Sequence, residues 1–153
     1  MISNSLYRPA AKIVLGLEGS DECVFVAGSR GRLNLPGGGI DEGETAEEAL
    51  FKELYQELRA TPEQVYGLSE IGATWSNEAF TSSEGLPVRP RWKVFAGRLA
   101  VARSDLRFAS EITRQRVMTP EAYLALPDAS SSVLAKRALF LYQQSLSGAQ
   151  SYN

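Results

Sequence analysis

The stretch L-P-G-G-G-I-D-E-G-E at residues 35–44, continued by T-A-E-E-A-L-F-K-E-L-Y-Q-E-L-R-A at residues 45–60, decides the fold of this chain. Its three consecutive glycines give the backbone the freedom for a tight turn and a close approach. Thr45 and Glu48 have the spacing of a capping box, which predicts a helix that begins here and runs to residue 58 or 59. A glycine-rich turn therefore opens a helix.

Two carboxylates of this predicted helix lie at the edge of its apolar face. The apolar row consists of Ala46, Leu50, Leu54 and Leu58. Glu57 follows Leu50 by seven residues and so points in nearly the same direction, and Glu53 lies one turn before Glu57. Acids at the edge of a packing face cost free energy unless they are paired or bind a cation. The pattern therefore indicates a chemical site as well as a fold.

Residues 38–60 resemble the Nudix box, G-x5-E-x7-R-E-U-x-E-E-x-G-U, in which U is a bulky aliphatic residue. The matching positions are Gly38, Glu44, Glu53, Leu54 and Glu57. The departures are Lys52 for the arginine, Gln56 for the first paired acid and Arg59 for the final glycine, with Ala60 at the last aliphatic position. A P-loop is disfavoured because no Gly-Lys-Ser/Thr follows the glycines, and a dinucleotide fingerprint lacks its third glycine.

The resemblance implies an α/β fold, a Nudix-like α/β/α sandwich with a mixed, curved central sheet. It also implies a divalent-metal-dependent hydrolase that cleaves the pyrophosphate linkage of a nucleoside diphosphate joined to another group. We expect one domain over residues 1–153, with flexible ends at residues 1–9 and 147–153. Homodimers are common in this family, so a homodimer is a further expectation.

Site roles also follow from the resemblance. Glu53 and Glu57 would bind Mg²⁺ or Mn²⁺ with help from a backbone carbonyl near Gly37 or Gly38, and Glu53 is also a candidate base. Gln56 keeps one carbonyl oxygen for the metal but removes a negative charge. Glu44 would pair with Lys52 and steady the loop on the helix. From a later loop, Glu111 is the candidate for a base or extra ligand, and Glu84 is a weaker one.

Other residues are candidates for binding a nucleotide, each with a structural alternative. Arg30 and Arg32 lie in a glycine-containing basic loop and would meet phosphates, or form a solvated hairpin loop. Arg89 and Arg91 lie at the start of a predicted strand and are candidate phosphate ligands or part of a solvated strand end. Phe80 either stacks on a base or folds back onto the core.

Composition excludes several classes of site. The 153 residues contain no histidine and a single cysteine, which excludes Ser-His-Asp and Cys-His catalysis, histidine zinc sites and an intrachain disulfide. Cys23 is predicted to be a core residue and not a nucleophile, because the sequence shows no partner base for it. The formal net charge of -2 gives no overall attraction for DNA or a membrane surface. Residues 1–9 lack the apolar core of a signal peptide, so we expect a cytoplasmic protein.

The rest of the chain predicts a mixed order of strands and helices. Strands are predicted at residues 12–17, 23–27, 65–75, 91–101 and 115–118, with the first two forming a hairpin. A short helical turn is predicted at 61–64, a polar loop at 75–90, and helices at 119–126 and from 130 onward.

Two alternatives to an enzyme stay open. A binding module would keep the fold and hold a nucleotide or nucleotide-sugar without cleaving it, and Gln56 favours this alternative. A purely structural or partner-binding domain is disfavoured by the acids at the edge of the packing face.

Overall fold

The computed structural model describes residues 7–27, 32–76, 80–81, 85–101 and 114–151. The strands are β1 (Tyr7–Leu17), β2 (Cys23–Ala27), β3 (Leu33–Asn34), β4 (Gly37–Gly39), β5 (Val65–Trp75), β6 (Phe80–Thr81), β7 (Pro87–Leu99) and β8 (Arg114–Met118). The helices are α1 (Ala46–Leu58), α2 (Pro120–Leu124) and α3 (Val133–Ser151), with 3-10 turns at Pro62–Gln64 and Asp128–Ser130. No helix in these described ranges is long and apolar enough to cross a membrane.

The strands form a mixed sheet with the order β3-β2-β1-β7-β5. β1 and β7 run parallel, with Tyr7 opposite Arg89 and Leu17 opposite Leu99, whereas the other neighbours pair antiparallel. β4 pairs with the first half of β1, and β8 pairs with β2. The predicted hairpin of β1 and β2 is confirmed.

Helix α1 covers one face of the sheet and helices α2 and α3 cover the other. Alternate residues of β1 face opposite sides, as expected for a strand. Ala11, Ile13 and Leu15 pack with Leu50 and Leu54 of α1. Each fully buried leucine stabilises the fold by about 1.5–3 kcal/mol. The predicted sandwich with a mixed sheet is confirmed.

The second core lies between the sheet and α2 and α3. Tyr123 of α2 is fully buried and stacks on Phe25 of β2, with ring centroids 4.3 Å apart. Its hydroxyl donates to the carbonyl of Leu33 at 2.5 Å and accepts from the backbone N–H of Ser132 at 2.9 Å. Burial raises the pKa of Tyr123 to about 12. This side chain therefore ties β3, α2 and the start of α3 together.

Several predicted boundaries were wrong by a few residues. β1 begins at Tyr7 instead of residue 12, and β7 covers 87–99 instead of 91–101. The predicted loop at 75–90 is therefore wrong at residues 80–81 and 87–90, which form strand pairs. α2 ends at Leu124 rather than residue 126, and α3 runs from Val133 through Ser151 into the predicted flexible end. Helix α1 is confirmed, including its capping box.

Candidate functional site

The glycine strand β4 lies directly against β1. Gly37 has φ +129°, and a Cβ there would lie 2.1 Å from the carbonyl oxygen of Ala11. Both the backbone conformation and the available space therefore require glycine. This close approach places the Gly37 backbone beside the middle of β1, opposite Lys12.

Helix α1 presents both predicted metal-binding acids to this glycine strand. The carboxylate of Glu57 accepts a hydrogen bond from the Gly37 N–H at 2.9 Å. A Cβ on Gly38 would lie 2.4 Å from Oε1 of Glu53, so the Glu53 carboxylate packs against that glycine. Because the two acids are one helical turn apart, they reach adjacent glycines.

Lys12 brings a positive charge to the same place. Its Nζ donates to the carbonyls of Leu35 at 3.2 Å and Gly37 at 3.3 Å, and lies 5.1 Å from the centre of the Trp92 ring. Gly37 thus bonds through its N–H to Glu57 and through its carbonyl to Lys12.

Burial and charge shift the ionisation of these groups in opposing ways. Burial raises the pKa of Glu53 above its usual 4.5, and the positive charges of Lys52 and Lys12 offset part of this rise. Burial lowers the pKa of Lys12 below its usual 10.5, while Glu57 and Glu53 oppose that fall. The site therefore holds charged groups of both signs in a partly water-excluded setting.

The ion pair between Glu44 and Lys52, which the resemblance implies, is present with an N–O distance of 2.8 Å. Lys52 also contacts Asp41 at 3.1 Å, and the Asp41 N–H donates to Glu44 at 2.8 Å. The hydrogen bond from Lys52 lowers the pKa of Glu44 below 4.5. This three-residue network attaches the loop before α1 to the helix itself.

Some of the remaining predicted site residues are described by the structure, and the others lie outside the described residues. Gln56 and Arg32 are exposed. Arg89 lies over the Tyr7 ring at 5.9 Å, and Arg91 lines a cavity of about 220 Å³ with Tyr7 and Trp75. Arg30, Glu84 and Glu111 lie outside the described residues, as does the side chain of Phe80.

A larger cavity lies between β5 and α3. Its volume is about 420 Å³, and its lining consists of Ala73, Thr74, Trp75, Arg137, Phe140 and Leu141. A row of paired residues crosses the four neighbouring strands β5, β7, β1 and β4. It consists of Thr74, Trp92, Ala10 and Gly39. Three strand spacings of about 4.8 Å therefore separate this cavity from the glycine strand.

The donors at the glycine strand fit a hard divalent cation. Glu53 and Glu57 offer carboxylate oxygens and Gly37 offers a carbonyl oxygen, the donor type that Mg²⁺ and Mn²⁺ prefer. Within the described residues, no cluster of three or more acidic, histidine or cysteine side chains surrounds a metal position. A cation here would therefore depend on two carboxylates and backbone oxygens.

Sequence reasoning missed three residues at this site. Lys12 was assigned only as the start of a strand, although a lysine followed directly by I-V-L is costly to bury without partners. Asp41 is the second carboxylate partner of Lys52. The Arg8 guanidinium lies against Gly39. A Cβ built on Gly39 would be 3.5 Å from its nearest nitrogen. Only Lys12 had a signal in the sequence.

Comparison with known proteins identifies the family. The family described as "NUDIX domain" matches residues 6–136. RNA pyrophosphohydrolase from Shewanella baltica (strain OS155 / ATCC BAA-1091) is 56% identical over 35 residues, which are 23% of this chain and 20% of that protein. RNA pyrophosphohydrolase from Sulfurovum sp. (strain NBC37-1) is 35% identical over 72 residues, or 44% of this chain and 46% of that protein. These matches thus span less than half of either relative.

A solved structure shows the same fold. The E. coli dihydroneopterin triphosphate pyrophosphohydrolase superimposes with a TM-score of 0.71 at 19% identity, covering 88% of this chain and 94% of that one. The family match and the structural superposition both cover most of the chain. The chain belongs to the NUDIX domain family.

Proposed function

We propose that this protein is a divalent-metal-dependent hydrolase that cleaves the pyrophosphate linkage of a nucleoside diphosphate joined to another group. The observation that carries the proposal is the contact of two carboxylates with adjacent glycines, Glu57 with Gly37 and Glu53 with Gly38. Family membership and the relatives' pyrophosphohydrolase names support it.

The reaction adds water to phosphorus, forms one P–O bond and breaks the anhydride P–O bond, with negative charge growing on the leaving oxygen. A bound Mg²⁺ or Mn²⁺ would neutralise phosphate charge and lower the pKa of bound water. Glu53, Glu57 and the Gly37 carbonyl would hold that ion, and Glu53 is a candidate base for the attacking water. Glu44 and Lys52 would position the loop that precedes the helix.

For the substrate, the relatives' names indicate a phosphate chain carried by an organic group. The phosphates would lie at the glycine strand, and the organic group would extend along the row from Ala10 and Trp92 to the cavity beside Thr74. A site with an aromatic wall and an arginine suits a base or a similar flat ring. Arg89, Arg91 and Arg32 remain candidate phosphate ligands.

A second candidate function is ligand binding without turnover. Gln56 removes one charge from the expected set of acids, and an ammonium lies beside the remaining two. Both features would weaken divalent-metal binding. Such a module would still hold a nucleotide or nucleotide-sugar on the same face of the sheet.

A hydrolysis screen separates the two candidates. Purified protein would receive nucleoside triphosphates, 5′-triphosphorylated RNA, ADP-ribose, sugar nucleotides and dinucleoside polyphosphates with Mg²⁺ or Mn²⁺, and with EDTA as a control. Cleavage that is lost in EDTA and in Glu53→Gln supports the hydrolase and gives its substrate class. If nothing is cleaved while a nucleotide raises the melting temperature, the binding module replaces it.

Two expectations from the sequence remain predictions beside this proposal. A cytoplasmic location rests on the single cysteine, which allows no intrachain disulfide, and a homodimer rests on the family resemblance. Sedimentation of the purified protein tests the second.

A further inference from the structure

Lys12 lies in a part of β1 that is otherwise apolar and buried. Its neighbours Ala11 and Ile13 are fully buried. Lys12 is half-buried, and its ammonium donates hydrogen bonds to two backbone carbonyls. A lysine in such a place costs free energy unless specific groups stabilise its charge.

The partners of this ammonium are oxygens of the candidate metal site. It donates to the carbonyls of Leu35 and Gly37. Its Nζ lies over the Trp92 ring, 5.1 Å from the ring centre. A cation over an aromatic face is attracted by the ring. An ammonium and a divalent cation both bind carbonyl and carboxylate oxygens, so they compete for the same oxygen atoms.

The two carboxylates complete this arrangement. Glu57 accepts from the N–H of the same Gly37 whose carbonyl binds Lys12, and Glu53 packs on Gly38. The negative charges of Glu57 and Glu53 act on Lys12 and oppose the effect of its burial on its pKa. Lys12 is therefore a counter-charge to both acids.

We propose that Lys12 is a built-in cation of this site, which keeps the glycine strand and the two acids assembled without a divalent ion and weakens the binding of divalent ions there. The proposal rests on the metal site of the proposed function. It adds that this chain holds its divalent ion more weakly than the same site would with an uncharged residue at position 12.

The charges give the direction of the effect. Two ionised carboxylates and one ammonium leave the three side chains with a net charge of -1 rather than -2. Because like charges a few ångströms apart in a partly buried site repel each other, loss of the Lys12 charge should strengthen divalent-ion binding by roughly tenfold. Gln56 acts in the same direction because it supplies no negative charge.

The test uses Lys12→Met, which keeps length and removes charge, and Lys12→Gln, which keeps a hydrogen-bond donor. Titration calorimetry would measure the affinity and number of Mn²⁺ ions, and calorimetric melting would be recorded in EDTA and in Mn²⁺. Lys93→Met is the matched control, since it removes an exposed lysine from the adjacent strand β7.

The proposal predicts that both Lys12 variants melt at a lower temperature in EDTA, bind Mn²⁺ roughly tenfold more tightly or more, and gain more melting temperature from Mn²⁺ than the wild type. Lys93→Met should match the wild type in all three. If a variant is unfolded in EDTA, Mn²⁺ should refold it, because the ion replaces the missing cation.

Other outcomes overturn it. Unchanged or weaker Mn²⁺ binding in both variants, or failure of Mn²⁺ to refold an unfolded variant, would mean that Lys12 has only a packing role. If the wild type and every variant bind no Mn²⁺, the metal site of the proposed function itself fails. If the wild type and both Lys12 variants bind Mn²⁺ with the same affinity, only the Lys12 proposal fails.

Discussion

At the scale of single residues, the two glycines at 37 and 38 serve different needs. Gly37 has a positive φ and no room for a Cβ against Ala11, so both backbone and space require glycine. At Gly38 the atoms that a Cβ would meet belong to the flexible end of Glu53. Gly38 therefore leaves room for a carboxylate, and its replacement should affect function more than stability.

Gly38→Ala tests this distinction. The new Cβ would lie 2.4 Å from Glu53 Oε1 and would push the carboxylate aside. We expect hydrolysis to fall by about 10²-fold, as for small misplacements of catalytic groups. The free energy of unfolding in EDTA should change by less than about 1 kcal/mol, because a flexible side chain yields and alanine restricts the unfolded chain.

Gly39→Ala is the control for this variant, since its Cβ would meet ordinary contacts at 3.5 Å from Arg8. Its Mn²⁺ affinity should stay close to that of the wild type. A Gly38→Ala protein with full activity and full Mn²⁺ affinity would show that Glu53 does not need its place against Gly38.

Glu57→Gln removes a charge and keeps a shape. The amide oxygen of glutamine still accepts from the Gly37 N–H, so the glycine strand should stay in place. We expect kcat to fall by about 10²–10³-fold because a preorganised charge is lost. Steady-state hydrolysis with Mg²⁺ measures this, and Glu47→Gln, an exposed acid of the same helix, should behave as the wild type. Unchanged turnover in Glu57→Gln would remove Glu57 from the site.

At the scale of elements, α1 was predictable because its signals are local. Thr45 and Glu48 bond to each other's backbone, and the apolar row of Leu50, Leu54 and Leu58 is buried. The end of the helix is less favourable. Arg59 has φ 56°, in the left-handed region, where residues other than glycine are strained.

Arg59→Gly should therefore stabilise the protein. Relief of the left-handed strain exceeds the extra entropy of glycine in the unfolded chain, for a net gain of about 0.5–1 kcal/mol. Arg59→Ala is the comparison, because it also removes the contact of the guanidinium with the Tyr55 ring at 5.2 Å but keeps the strain. Urea unfolding of both variants measures the difference. A less stable Arg59→Gly protein would mean that the Tyr55 contact outweighs the strain.

Strand boundaries were less predictable because pairing with distant strands extends them. Residues 7–11 contain Arg8 and Pro9 and carry no clear strand pattern, yet they pair with residues 89–93 of β7. Pro87 and Val88 belong to β7 because β6 pairs with them. No local signal reports a partner that lies 80 residues away in the chain.

The same reason explains which site residues sequence could predict. Glu53 and Glu57 lie one turn apart on the helix that follows the glycine strand, so their spacing places them together. Lys12 reaches the site only because β1 pairs with β4, a contact between residues 25 positions apart. For Arg89 and Arg91 the sequence shows only two charges at the start of a strand, and β7 places them beside Tyr7 and Trp75.

At the scale of the whole molecule, the Glu44–Lys52 pair links stability to pH. Lys52 lowers the folded-state pKa of Glu44 below 4.5, so the stabilisation is complete above 4.5 and is lost as pH falls towards the folded-state value. Lys52→Met should lower the melting temperature at neutral pH. The difference in melting temperature between this variant and the wild type should become smaller under more acidic conditions. Lys93→Met is the comparison, because its ion pair with Glu70 is longer, at 3.7 Å, and more exposed, so its effect should depend less on pH. A constant gap at every pH would contradict this linkage.

The proposed hydrolase activity depends on a divalent ion bound by Glu53 and Glu57 beside Gly37. The most direct measurement is an anomalous difference map from crystals soaked in MnCl₂. We expect a peak about 2.0–2.3 Å from oxygens of both carboxylates, in the range of hard-cation distances. Mn²⁺ peaks elsewhere in the molecule, with none at these two side chains, would contradict the assignment of this site.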